Sequence, residues 1–297
     1  MIMVKSFQIL ICCLLLGSMP ASRHTSSKLL VAGSANACIL VIDKQSGQVE
    51  WKYPLEEGWE CNSVARTDDG AILFSYGRGA RLIHEDGTII WDQKVSDQED
   101  LQTAAILPDG GFLLAVSGHP SYIREVDMQG NTVKEISFET GVDDPHFQFR
   151  RVIKTSNGNY MVPLFMGGKV LEVSSVGKVI REFPVEGYPF AIRELPGNKY
   201  LVSGGDAHSF AEIDCRGKVI RRTGSEDIKN VSLQFVAEVV PVQDHFYICN
   251  WQGHEKENPD VFKNPQLLEI DAAGNVVWAL PIGNTLGFIS TVYPFEK

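Results

Sequence analysis

A glycine-closed reversal followed by a branched apolar strand occurs six times in this chain, and that repetition constrains the fold more than any other feature. The copies are Gly47 in SGQVEW, Gly87 in DGTIIW, Gly130 in QGNTVK, Gly177 in VGKVIR, Gly217 in RGKVIR and Gly274 in AGNVVW. Successive glycines lie 40, 43, 47, 40 and 57 residues apart. Periods of this size with paired short strands mark the blades of a propeller. Asp43, Asp127, Asp214 and Asp271 open four of the reversals. There a carboxylate can bond the local backbone while glycine supplies the positive φ of a tight turn.

Each reversal is the second hairpin of a larger unit. A strand, a turn and an apolar strand precede it in SVARTDDGAILFS, TAAILPDGGFLLAVS, RVIKTSNGNYMVPL, IRELPGNKYLVSGG and AEVVPVQDHFYICN. A unit is therefore four strands, a to d, with tight turns between a and b and between c and d. Five such units run from Cys61 to Ile282. The segments LLVAG, CILVID and VEWKYP supply b, c and d without an a strand, and the C-terminal FISTVYPF supplies the missing one. The sequence thus predicts an all-β, six-bladed β-propeller of four-stranded antiparallel blades. Its ring is closed by the C-terminal strand pairing into the N-terminal blade, which removes open sheet edges. Residues 22–297 are expected to form this one domain, since no Gly/Ser-rich or Pro-rich linker divides them.

Residues 1–21 have the layout of a signal peptide: Lys5, an apolar run from Ile9 to Leu16, then small residues. The run is too short to span a bilayer. A periplasmic or secreted protein, not a cytoplasmic one, is expected, with no membrane span in the mature chain. Across the whole chain 27 basic residues face 37 acidic ones, for a net charge of -10. That balance argues against nucleic acid or an anionic membrane as partner. A monomer is expected. Outside the leader, Cys38, Cys61, Cys215 and Cys249 show no CxxC spacing. Buried free thiols are expected in preference to a metal knuckle or a disulfide.

The segments VIDKQSGQVEW and IDAAGNVVWALP resemble the repeat of the quinoprotein-like (PQQ-repeat) β-propellers. That resemblance covers the whole mature chain and implies the fold. It implies little chemistry, because the superfamily contains dehydrogenases, arylsulfotransferases and assembly scaffolds. The quinone dehydrogenases carry a vicinal cysteine pair, and the pair here, Cys12 and Cys13, lies in the leader. PQQ is therefore not expected, and no cofactor or metal site is assigned. Asp143 with Asp144, and Glu255 with Glu257, offer oxygens of the kind calcium takes, although a solvated acidic loop is the plainer reading.

Topology sorts the remaining residues. In a four-stranded blade the d-a and b-c loops surround one mouth of the central channel, and the irregular segments of this chain all fall there. Four histidines belong to these loops: His119, His146, His208 and His254. Trp51, Trp91 and Trp278 share one position after the turn glycine and read as packing, whereas Trp59 and Trp251 break the repeat and sit at the mouth. Asn62, Gln102, Gln148 and Arg150 begin the inner strands and are expected to face the channel. With Tyr76, Arg78, Tyr188, Asp206, Asn250, Trp251 and Gln252 they make a candidate ligand-binding set of aromatic walls and convergent polar groups. Asp206 could orient the His208 imidazole.

The leading expectation is a propeller that binds a small polar ligand, a glycan or an extracytoplasmic protein at this mouth. An alternative is an enzyme, a lyase, hydrolase or sulfotransferase-like transferase, with His146 or His254 as its acid-base or nucleophilic group. No G-x-S-x-G, HExxH or Walker motif is present to support it. A third alternative is a structural scaffold acting through its rim. The insertion between Asn250 and Gln266, which carries Trp251 and His254, is the largest departure from the repeat.

Overall fold

The six glycine reversals each join the third and fourth strands of an antiparallel sheet. The computed structural model of the chain describes residues 27–34, 38–255, 257, 263–281 and 286–296. Residues 1–21, expected to be a signal peptide, lie outside the described residues, as do 256 and 258–262 of the insertion.

Blade 1 holds β1 (Lys28–Ala32), β2 (Cys38–Asp43) and β3 (Val49–Pro54), and blade 2 holds β4 (Val64–Arg66), β5 (Ile72–Ser75), β6 (Gly79–Ile83) and β7 (Ile89–Lys94). Blade 3 is β8 (Asp100–Ile106), β9 (Phe112–Ser117), β10 (Ser121–Val126) and β11 (Thr132–Phe138). Blade 4 is β12 (Ile153–Lys154), β13 (Tyr160–Leu164), β14 (Lys169–Val173) and β15 (Val179–Pro184). Blade 5 is β16 (Ile192–Leu195), β17 (Lys199–Ser203), β18 (Ser209–Asp214) and β19 (Val219–Gly224). Blade 6 is β20 (Phe235–Val242), β21 (His245–Trp251), β22 (Leu267–Asp271) and β23 (Val276–Ala279). The last strand, β24 (Thr291–Phe295), pairs antiparallel with β1, Lys28 opposite Phe295 and Ala32 opposite Thr291. The chain is therefore an all-β six-bladed propeller whose ring closes through its terminal strands. No helix among the described residues is long and apolar enough to cross a membrane.

Local chemistry explains the reversals. In every blade the c-d ladder shifts register by a residue beside the turn, as at Glu172/Val173 and Glu212/Ile213. This is the glycine bulge that follows a tight turn, with glycine in the left-handed region. Gly217, at φ 80°, needs its bare Cα for a second reason: a Cβ there would lie 2.5 Å from the Cβ of Phe183 on the preceding blade. Strands such as β1 and β9 are buried along their length, because neighbouring blades cover both faces. Strands covered on both faces read as unbroken apolar runs such as LLVA and FLLAV. Outer strands such as β3 keep one face in solvent.

Each outer strand reaches forward to the turn of the next blade. Trp51 Nε1 donates to the Glu85 carbonyl (2.7 Å), Gln93 Nε2 to that of Gly130 (2.6 Å), Arg221 Nη2 to that of Ala272 (2.9 Å) and Trp278 Nε1 to that of Lys44 (3.0 Å). At the other two boundaries the Ser137 backbone lies against Gly177 and the Phe183 side chain against Gly217.

The inner strands are tied around the channel by polar groups. Glu238, fully buried on β20, sits where that ladder skips residues between Val236 and Val239. Its Oε1 accepts from Arg151 and Arg193, and its Oε2 from Thr291 Oγ1 (2.8 Å) and the Val292 N–H (3.1 Å). Burial pushes this carboxyl up, but the two guanidinium groups and these N–H and O–H donors outweigh it and hold it below the usual carboxylate range. Cys38, Cys61, Cys215 and Cys249 are free thiols, three of them buried, as expected.

Candidate functional site

Residue Gln102 begins the site. The β8–β9 ladder skips it, passing from Leu101 opposite Val116 to Thr103 opposite Ala115. A bulge of this kind turns a side chain out of the ladder, here toward the channel mouth. The Gln102 side chain is 1% exposed. Its Oε1 accepts from Asn62 Nδ2 (2.8 Å), and Asn62 Oδ1 accepts in turn from Ser290 Oγ (2.7 Å) and Ser34 Oγ (3.1 Å). The Gln102 Nε2 donor is buried without a partner. A buried donor left unpaired costs about 1–3 kcal/mol, so it is a position where a ligand acceptor is favoured.

Above it lies a cavity of about 430 Å³ lined by Gly58, Glu60, Tyr76, Gly77, Arg78, Asp97, Gln98, Glu99, Asp100, Gln102, Asp144, Pro145 and His146. It is formed by the d-a loops entering blades 2, 3 and 4 and the b-c turn of blade 2. Gly77 opens it: a Cβ there would meet Asp100 Oδ1 at 3.3 Å and Gln102 Nε2 at 3.9 Å. Those two atoms, an acceptor and a donor, therefore both lie within 4 Å of one point beside Gly77. Five carboxylates line the walls, and Arg78 holds the rim by donating to the carbonyls of Asp97 (3.2 Å) and Glu99 (2.9 Å).

The expected histidine chemistry changes on the structure. His146 Nδ1 is 2.9 Å from Asp100 Oδ2, and its Nε2 is 3.3 Å from Arg150 Nη2. Guanidinium can only donate, so Nε2 accepts and Nδ1 carries the proton given to Asp100. Both ring nitrogens are thereby engaged. The Arg150 guanidinium also donates to the His146 carbonyl and stands over the Phe165 ring at 4.9 Å. Burial pushes it below its ordinary value, against the pull of Asp100, Glu60 and Asp144. Asp144 Oδ1 accepts from the His146 N–H (2.9 Å) and so starts the short turn Pro145–Phe147.

Of the four mouth histidines, His146 lines the cavity and the other three sit elsewhere. His119 bonds the Asp143 carbonyl, and His208, at φ 54°, bonds the Gln234 carbonyl. Asp206 does not orient His208: its Oδ1 accepts from the Tyr188 N–H (3.1 Å). His254 stands edge-on to Trp251 and Phe235, with ring centroids 4.7 Å and 5.4 Å apart. Trp251, Phe235, Phe190, Phe165 and Tyr188 continue as one chain of ring contacts, so this side of the mouth is aromatic packing.

Several polar residues expected to face a ligand are spent on the loops instead. Gln148 bonds Gly118, Ser121 and Val142. Asn250 accepts from the Gln234 N–H and donates to the carbonyls of Ser232 and Pro265, while Gln252 donates to those of Asn250 and Asn264. Trp59 and Tyr76 stack on each other at 4.0 Å, and the Tyr76 hydroxyl donates to Asp92, so that pair does not present an open platform. The sequence reading missed Asp97, Glu99 and Asp100 as cavity residues; the acidic loop VSDQED was their signal. No group of three or more His, Cys, Asp or Glu side chains among the described residues is arranged to hold a metal.

Solved structures agree on the fold. A Bacteroides caccae protein of unknown function is 44% identical, covers 92% of this chain and 100% of its own, and superposes with a TM-score of 0.88. A streptogramin B lyase (10% identity, TM-score 0.59, 88% of this chain and 85% of its own) and the Neurospora crassa Pan2 WD40 domain (14%, 0.57, 87% and 75%) share the architecture alone. No curated protein matches significantly. The family model described as Mal s 1 allergenic protein-like matches residues 35–275. The six-bladed fold is as expected, the PQQ-repeat resemblance of the hairpins is not confirmed by these matches, and the chain belongs to the Mal s 1 allergenic protein-like family.

Proposed function

We propose that the cavity between blades 2, 3 and 4 binds a small polyhydroxylated ligand, a saccharide or a comparable polyol. The observation that carries this reading is the unpaired Gln102 Nε2 donor and the Asp100 Oδ1 acceptor, both within 4 Å of one point beside Gly77. A hydroxyl group both accepts and donates, so one hydroxyl satisfies both atoms. Further hydroxyls find acceptors in Glu60, Asp97 and Glu99 and a donor in Arg78. Ligand pockets of several hundred Å³ with a few convergent polar groups are the usual size and chemistry for such a molecule. Acid-base catalysis by His146 has less support, because its Nε2 lone pair faces Arg150.

The test is a thermal-shift screen of mono- and disaccharides followed by calorimetric titration. A ligand at 100 times its Kd stabilises the folded state by about 2.7 kcal/mol, which is readily seen in Tm. A saturable saccharide is expected, with affinity reduced about tenfold or more in Gln102→Leu. Equal affinity of the variant and the wild type would sink the reading, as would a screen in which no polyol shifts Tm.

A further inference from the structure

The opposite end of the channel carries a second arrangement that the mouth reading does not use. A cavity of about 540 Å³ opens between the a-b turns of blades 2 and 3 and reaches inward to Arg151 on the chain entering blade 4, Arg193 on β16 and Tyr293 on β24. The two guanidinium groups share a single carboxylate, Glu238: Arg151 Nη2 lies 2.9 Å and Nε 3.1 Å from its Oε1, which also accepts from Arg193. Glu238 Oε2 is already taken by Thr291 and the Val292 N–H. Arg151 and Glu238 form a buried pair, Arg193 adds a guanidinium whose side chain is 30% exposed, and Arg66, paired with Glu85, also lines the cavity. Arg151 Nη1 is buried and has no hydrogen-bond partner, in a side chain that is only 9% exposed.

A buried donor left unpaired is costly, and an acceptor at this point relieves it. The walls define the rest of the ligand. Ala65, Ala105, Leu107, Phe112 and Met128 are apolar, and acidic Asp68 and Asp69 stand in the β4–β5 turn. A highly charged anion is disfavoured beside those carboxylates, whereas a single planar carboxylate matches the guanidinium fork. We infer that the a-b end of the channel is a second binding site, taking a small monocarboxylate whose carboxylate lies on Arg151 and Arg193 and whose apolar body lies against Leu107, Phe112 and Tyr293.

Benzoate and hexanoate are the probes, each titrated against its uncharged amide at constant ionic strength with the full wild-type protein. Both acids are expected to raise Tm and to give saturable heats, and both amides to give neither. Arg193→Gln keeps the buried Arg151–Glu238 pair and is expected to weaken the acids by about tenfold or more. Arg151→Lys, which keeps the charge but loses the fork, is expected to weaken them as well. Amides binding as well as acids, or an Arg193→Gln protein that titrates like wild type, would overturn the inference. So would inorganic sulfate stabilising the protein as much as either carboxylate. The titrations contain no saccharide, so their failure leaves the mouth reading standing, and the reverse holds too.

Discussion

The rim of c-d turns and the loops around the mouth are built from the same four-stranded unit, yet they obey different rules. On the rim, six turns repeat one design: a glycine bulge, an opening Asp in four of them, and a contact from the preceding blade's outer strand. At the mouth no two loops agree. One holds a 3-10 turn that carries His146, another a Gly77 hinge, and another the 250–266 insertion. Repetition is where the ring is stabilised; departure from it is where Gln102 leaves a buried donor beside a cavity.

That contrast can be broken by experiment, and the largest effect is expected on the rim. Trp91 packs under Gly130 and is buried; Trp91→Ala should cost about 3–5 kcal/mol in urea denaturation while leaving polyol affinity unchanged. A variant that lost polyol binding while keeping its stability would erase the distinction between rim and mouth. Gln102→Leu should show the opposite balance. Its stability cost, from an Asn62 donor left without its acceptor, is about 1–3 kcal/mol, and its main effect is on binding.

Acid should separate the two regions by their pH dependence. Asp271 is held below the usual carboxylate range by the Asn275 side chain and the N–H groups of Asn275 and Ala273, with Asp127 and Asp214 in matching settings. A carboxyl lowered by folding contributes stability that is present above its unfolded value of about 3.9 and is lost as pH falls through the lower folded value. Asp271→Ala should therefore lower Tm near neutral pH, with the gap closing below about pH 4, while the Gln102→Leu deficit should stay flat. The smallest effect concerns the thiols. Burial pushes Cys61 up to about 12 and Cys249 well above its ordinary value, so iodoacetamide on the native protein should label the half-exposed Cys215 first. Prompt labelling of Cys61 would mean that the channel wall opens.

The sequence carried the fold almost entirely, because glycine turns, apolar runs and the missing first strand are local signals that add up around a ring. It also located the mouth, and four of the expected residues, Tyr76, Arg78, Gln102 and His146, do line one cavity. It did not separate them from Gln148, Asn250 and Gln252, which look alike in sequence but spend their amide groups on loop carbonyls and N–H groups. What distinguishes Gln102 is a ladder that skips it, and what distinguishes Glu238 is the same device on β20. A bulge depends on the register of two strands at once, so neither strand announces it alone.

The forward reach of each outer strand gives the ring a direction of dependence. Blade 1 holds the turn of blade 2 through Trp51, and the sequence of contacts runs on until Trp278 of blade 6 holds the turn of blade 1. No blade in such a circle is first or last, so melting one strips a fastening from its successor and exposes the flank of its predecessor. The ring should unfold in a single cooperative transition, with tryptophan fluorescence and far-ultraviolet circular dichroism tracing coincident curves.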